Sequence, residues 1–172
     1  MQNRVIWNDR KFDFGLPAEM FPMVVERLRG APARLEEKVA SLSHEVLTRR
    51  DGDTWTIAET IGHFTLVEHL WSGRLDDFLA GEKTLRAPDR SKLHMQEADF
   101  NDEPVDGMLR IFRADREHLV ERMYNLTGEQ AVISAHHPRL DKPMRVIDSA
   151  FFAAEHDDHH LARITDLIHM WR

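Results

Sequence analysis

Thr56-Ile57-Ala58-Glu59-Thr60-Ile61-Gly62-His63-Phe64-Thr65-Leu66-Val67 opens the segment that decides how this chain folds. A threonine followed three residues later by a glutamate, just ahead of an apolar run, is a capping box, and it sets a helix start at Ile57. From there to about Leu79 the residues Ile57, Ile61, Phe64, Val67, Leu70, Trp71, Leu75 and Phe78 recur at helical spacing and form a broad apolar face. A helix of this length with so wide an apolar face needs other helices to cover it.

Similar segments lie on both sides. Upstream, Phe21, Val24, Val25, Leu28, Leu35, Val39 and Leu42 give a helical period from about Pro17 to Leu42. Gly30-Ala31-Pro32 interrupts it, which reads as a kink or as two helices, the second with Pro32 in its first turn. Downstream of Gly81 a polar stretch with little period runs to about Glu103. It is long for a connection between antiparallel neighbours and suggests a crossover along a bundle. A third helix is predicted from about Pro104 to Leu126 on Val105, Met108, Leu109, Phe112, Leu119 and Met123, ended by Thr127-Gly128. A loop containing Ala135 to Leu140, with room for an extended piece, leads to a fourth helix from about Met144 to Trp171. Strand-like alternation is nearly absent. The expectation is an all-α four-helix bundle forming one domain over residues 1–172.

Composition narrows the function. The 172 residues suffice for one ordinary core. The net charge of −7 argues against nucleic acid or an anionic membrane as partner, because arginines are scattered among acids rather than gathered in a basic run. There is no cysteine, which removes disulfides, thiolate metal sites and a cysteine nucleophile. The first residues lack the apolar run of a signal peptide, and no stretch of about 18 apolar residues exists to span a bilayer. A cytoplasmic protein is expected.

Eleven histidines are more than this length leads one to expect, roughly four at average usage. The face each occupies is therefore more informative than any single spacing. In the fourth helix, His156 and His160 share a stripe with Ala153, Ile164 and Leu167 that should face the core. His159 shares one with Glu155, Arg163 and Asp166 that should face water. His63 in the second helix lies with Val67 and Leu70 on a mainly apolar stripe. The remaining histidines, His44, His69, His94, His118, His136, His137 and His169, fall in loops, near ends or on polar stripes. Two readings stay open on these grounds: core histidines bonded to carbonyls or carboxylates, or a divalent metal held by imidazoles from two helices.

Two motifs go further. Trp55-Thr56-Ile57-Ala58-Glu59-Thr60-Ile61-Gly62-His63 and Ala154-Glu155-His156-Asp157-Asp158-His159-His160-Leu161-Ala162-Arg163-Ile164 resemble those of the DinB-like proteins, relatives of the YfiT-type metal-dependent hydrolases and of bacterial thiol S-transferases. The resemblance spans nearly the whole chain. It implies a four-helix bundle in up-down-down-up order, often dimeric. It also implies a divalent ion, nickel or zinc first and iron or manganese next, on His63, His156 and His160. The activity it implies is attack by water or a low-molecular-weight thiol on a small-molecule electrophile; a stress-associated metal protein without turnover and a metal-free helical interaction module are the alternatives. Asp157, Glu59 and Asp148 are candidates for the groups behind the ligands; a plain structural role stands beside the first two, a partly exposed ion pair with an arginine for Asp157 and the capping box for Glu59, while Asp148 lies two turns before His156 and moderately off its face. His137 and Arg139 are candidates for a pocket mouth, although a solvated loop explains them too. Trp55, Trp71 and Trp171 read as core or dimer-contact residues.

Overall fold

Thr56 Oγ1 accepts the Glu59 N–H at 3.0 Å, and Glu59 Oε2 accepts the Thr56 N–H at 2.8 Å. The capping box is formed, and α4 runs from Ile57 to Leu79 as its sequence requires. The computed structural model describes residues 5–88 and 99–171. His94 and the middle of the polar link after α4 lie outside the described residues.

Before α4 the chain forms α1 (Phe21–Arg29), α2 (Ala31–Val39) and α3 (His44–Thr48). Of the two readings of Gly30-Ala31-Pro32, the second holds: α2 carries Pro32 in its first turn, where a missing N–H costs nothing. The start falls later than expected, because Ala18–Met20 is a 3-10 turn. The short α3, capped by Ser43, was not visible as a period. After the link come α5 (Val105–Tyr124), α6 (Gly128–Ala131) and α7 (Val146–Trp171).

The fold is mostly helical rather than purely so. Ser134–His137 (β1) and Lys142–Arg145 (β2) make an antiparallel hairpin, with Ala135 opposite Met144 and His137 opposite Lys142. Met144 therefore belongs to β2, and α7 starts two residues later than its apolar period suggests. Asp141 closes the turn with φ of 51°, a conformation that an aspartate tolerates better than most residues. The link after α4 joins the hairpin: Leu85 N donates to His136 O and His136 N to Lys83 O, each at 2.9 Å.

Four helical pillars pack around the core. The α1–α2 pair lies against α5 and α7, and α4 lies against the same two. Their apolar residues fall into two clusters. One gathers Leu28, Val67, Trp71, Leu119 and Ala153; the other gathers Leu35, Ile61, Phe64, Phe112 and Ile164. On every pillar the change from one to the other comes at the same level. There α4 carries His63 and Glu68, α5 carries Arg116, and α7 carries His156, Asp157 and His160. The core is thus two apolar halves with a polar layer between them. None of the described helices is long and apolar enough to cross a membrane.

Candidate metal centre and its cavity

His63 projects from the second turn of α4, and His156 and His160 from adjacent turns of α7. Their Nε2 atoms converge: His63 to His156 is 3.0 Å and His156 to His160 is 3.1 Å. All three donor atoms lie within 4.8 Å of one another, and no other set of three metal-ligating side chains is gathered among the described residues. His63 and His156 are 9% and 5% exposed.

This surrounding dictates the charge state. Burial pushes His63 down to about 4, against a smaller upward pull from Asp157. Burial and the neighbouring imidazoles hold His156 and His160 well below the ordinary histidine value. All three are neutral at pH 7, the form that donates a nitrogen lone pair to a metal. Two imidazole ligands on one ion, each about 2.0–2.1 Å from it, sit roughly 3.0–3.4 Å apart, so the observed separations suit a shared divalent ion. Three imidazoles without a fourth protein donor among the described residues is the pattern of a site with an open position.

Aromatic rings wall the cluster. Trp55 stacks nearly parallel on His160, with centroids 5.9 Å apart and 12° between planes. Trp7 meets His156 edge-on at 5.2 Å, and Trp71 does so at 5.6 Å. A cavity of about 410 Å³ runs from the three imidazoles past Trp71 and Phe152 to Arg74, His137 and Arg139.

Behind the imidazoles lies a buried ion network. The Arg116 guanidinium donates to Glu68 Oε2 at 3.0 Å, Asp157 Oδ2 at 2.5 Å and the Leu28 carbonyl at 3.1 Å. Arg116 and Asp157 are wholly buried and Glu68 nearly so. One cation faces two carboxylates, and burial pushes the Glu68 carboxyl up. Asp157 Oδ1 lies 3.8 Å from His156 Nδ1, beyond a hydrogen bond but close enough to act on the ring by its charge. The expected partly exposed ion pair at Asp157 is therefore corrected: the carboxylate is buried, and the imidazole nearest to it belongs to its own helix.

Glu59 and Asp148 sit elsewhere. Glu59 is held by its capping box, by Arg50 and by Asn101. Asp148 accepts from the Arg145 backbone N–H at 3.0 Å and from the Arg145 side chain at 2.8 Å, so it serves the start of α7. Neither makes a contact with the three imidazoles among the described residues. The solvated-loop reading of His137 is overturned, because this residue is 1% exposed and lines the cavity with Arg139. Trp71 is buried and Trp55 is 36% exposed at the cluster, while Trp171 lies at the far end under Arg49. Trp7, Arg74, Glu68 and Arg116 were not singled out from the sequence. Arg74 carried a signal: it falls on the inward stripe of His63 and Val67, where a charge needs a reason.

The DinB superfamily profile matches residues 27–164, most of the chain and all three histidines. This chain belongs to the DinB superfamily. Among solved structures, YfiT from Bacillus subtilis, described as a probable metal-dependent hydrolase with an unusual four-helix bundle topology, superposes with a TM-score of 0.82 at 21% identity. The match covers 94% of this chain and 93% of that one, and at such identity it speaks for the fold. No curated protein matches the chain. In this DinB-superfamily chain the histidine cluster lies where helices α4 and α7 meet, at the level of the polar layer.

Proposed function

We propose that His63, His156 and His160 hold a divalent metal ion and that the chain is a metal-dependent enzyme acting on a small-molecule electrophile. The observation that supports this most is the convergence of three neutral Nε2 atoms, from two helices, on one point at the head of a cavity. His63 Nδ1 and His156 Nδ1 are buried and lack protein partners, so each ring has its other nitrogen turned into the protein and Nε2 left for the ion. A divalent ion here supplies Lewis acidity, which makes water or a thiol a competent nucleophile near neutral pH. Nickel and zinc both suit three imidazoles.

The chain's own residues do the rest. Trp55 and Trp7 cover the imidazoles and limit access of bulk water. The Arg116 network fixes Asp157, whose charge favours a cation at His63 and His160. YfiT's description as a hydrolase supports water as the nucleophile, with a low-molecular-weight thiol as the alternative in the same position.

Protein purified without chelators is expected to carry about one equivalent of metal, lost in His63→Ala and His160→Ala. Unchanged metal content in both variants would overturn the assignment. A screen of ester, amide and thiol-transfer substrates then reads the chemistry, with activity expected to follow metal content.

A further inference from the structure

The far end of the cavity is cationic in a protein that is acidic overall. Among the described residues, those lining it include Arg74, His137 and Arg139 but no aspartate or glutamate. Arg74 is 2% exposed, yet no carboxylate pairs with it: among the described residues its hydrogen bond runs from Nε to the Arg86 carbonyl at 3.2 Å. The nearby Asp77 is taken by Arg86, which binds it through both Nε and Nη2. Arg139 lies over the Phe152 ring, 5.5 Å from its centroid, and its side chain reaches Asn8 rather than an acid.

Two uncharged donors add to this end. His137 Nδ1 accepts the backbone N–H groups of Arg139 and Leu140, both at 3.2 Å, so the proton of the neutral ring is on Nε2. Among the described residues, that Nε2 and the indole Nε1 of Trp71 are buried without an acceptor. Burying a guanidinium with no counter-charge is costly, and leaving two N–H donors unmatched adds to the cost. Electrostatics shows the tension: burial and the nearby Arg139 pull the Arg74 guanidinium down to about 10. An incoming oxyanion would offer the counter-charge and the acceptors that these groups lack.

We infer that this end of the cavity is an anion subsite, in which Arg74 and Arg139, with the His137 and Trp71 N–H groups, bind the carboxylate or phosphate-monoester end of an elongated substrate. The inference rests on the proposed metal centre only for the position of the reacting group. Arg74 is three turns along α4 from His63, but its side chain leans back toward the N-terminus: its Cζ lies 5.4 Å from the Trp71 ring, which stands 5.6 Å from the His156 ring. The substrate thus has its charge set apart from its reacting atoms, with Trp71 and Phe152 flanking the apolar stretch between them. A forked guanidinium matches two oxygens of either anion, so specificity over a neutral analogue should be large.

The test is a titration of the full chain, stripped of metal by chelator and then dialysed, with butyrate, butyl phosphate and the neutral butyramide, followed by tryptophan fluorescence and calorimetry. One of the anions is expected to bind at least tenfold more tightly than butyramide, and the stronger of the two identifies the end group. That affinity should fall at least tenfold in Arg139→Gln, a substitution at the cavity mouth that leaves the core intact, and likewise in Arg74→Gln where the circular dichroism is unchanged. Equal binding of all three probes, or anion binding that survives Arg139→Gln, would overturn the subsite. Repeating the titration with zinc-loaded protein separates the two readings. Anion affinity that appears only with zinc and ignores both arginines refutes the subsite and leaves the metal centre standing. Arginine-dependent binding in a chain that takes up no zinc does the reverse.

Discussion

Asp157 and His156 are neighbours on α7, and within the polar layer Asp157 Oδ1 lies 3.8 Å from His156 Nδ1. The carboxylate is held there by Arg116, on a different helix. The same side chain thus contributes to the core and to the electrostatics of the imidazole cluster.

Asp157→Asn should separate those roles. Removing one partner of a buried ion pair costs about 3–5 kcal/mol when the other is stranded. Here Arg116 keeps Glu68, so a loss nearer 2 kcal/mol is expected in urea unfolding. Metal affinity should fall by less than the roughly 10- to 100-fold typical of groups hydrogen-bonded to a metal ligand, because Asp157 acts by charge alone. Full stability with unchanged metal affinity would show that the carboxylate does neither.

Metal should stabilise the native chain. With zinc or nickel at 100 times its dissociation constant, linkage gives about 2.7 kcal/mol, which for a chain of this size is a rise of roughly 5–10 °C in melting temperature. His63→Ala should melt at the same temperature with and without metal. A shift that persists in that variant would place the binding elsewhere.

Gly62→Ala weighs two effects of opposite sign. Alanine favours a helix over glycine by about 1 kcal/mol. A Cβ at Gly62, however, would lie 2.4 Å from the Phe100 ring, and such overpacking costs about 1–3 kcal/mol. The ring cannot yield as the end of a long side chain does, so net destabilisation is expected, read as a lower urea midpoint. A more stable variant would mean that Phe100 is easily displaced.

Acid should weaken the metal-free chain well above the range where carboxylates titrate. Burial holds His63 down to about 4. Burial, then Arg74 and Arg139, hold His137 down to about 3. In the unfolded chain both titrate near 6.5, so between these values the unfolded state binds more protons and stability falls as pH falls. The loss is about 2 kcal/mol per imidazole by pH 5, and it levels off beneath the folded values. Urea unfolding in chelator at pH 7.5, 6 and 5 reads it; a midpoint independent of pH in that window would refute the buried neutral state of these rings.

The long helices were legible because their signals are local. Thr56 and Glu59 determine a helix start by themselves, and the α4 apolar face extends unbroken to Phe78. The face assignment of His63, His156 and His160 was legible for the same reason, since a stripe needs no knowledge of its partner. The hairpin was not, because strands of four residues are too short to show alternation, and His137 is buried only through its pairing with Lys142 and its packing on Phe152. Nor was the Arg116 network, since each member sits on a different helix and only packing reveals that their heights agree. Arg74 lies on the inward stripe of His63 and Val67, but only packing shows that Arg86 claims the nearby Asp77.

His63 and His156 stand 93 residues apart in the chain. During synthesis at about 5–20 residues per second, the first imidazole is made several seconds before the other two exist. For that interval the growing polypeptide carries His63 and other scattered histidines, but not the two α7 imidazoles that complete the cluster. Selection of an ion by the proposed centre therefore belongs to the finished fold, and would draw on whatever ions are exchangeable around the completed protein.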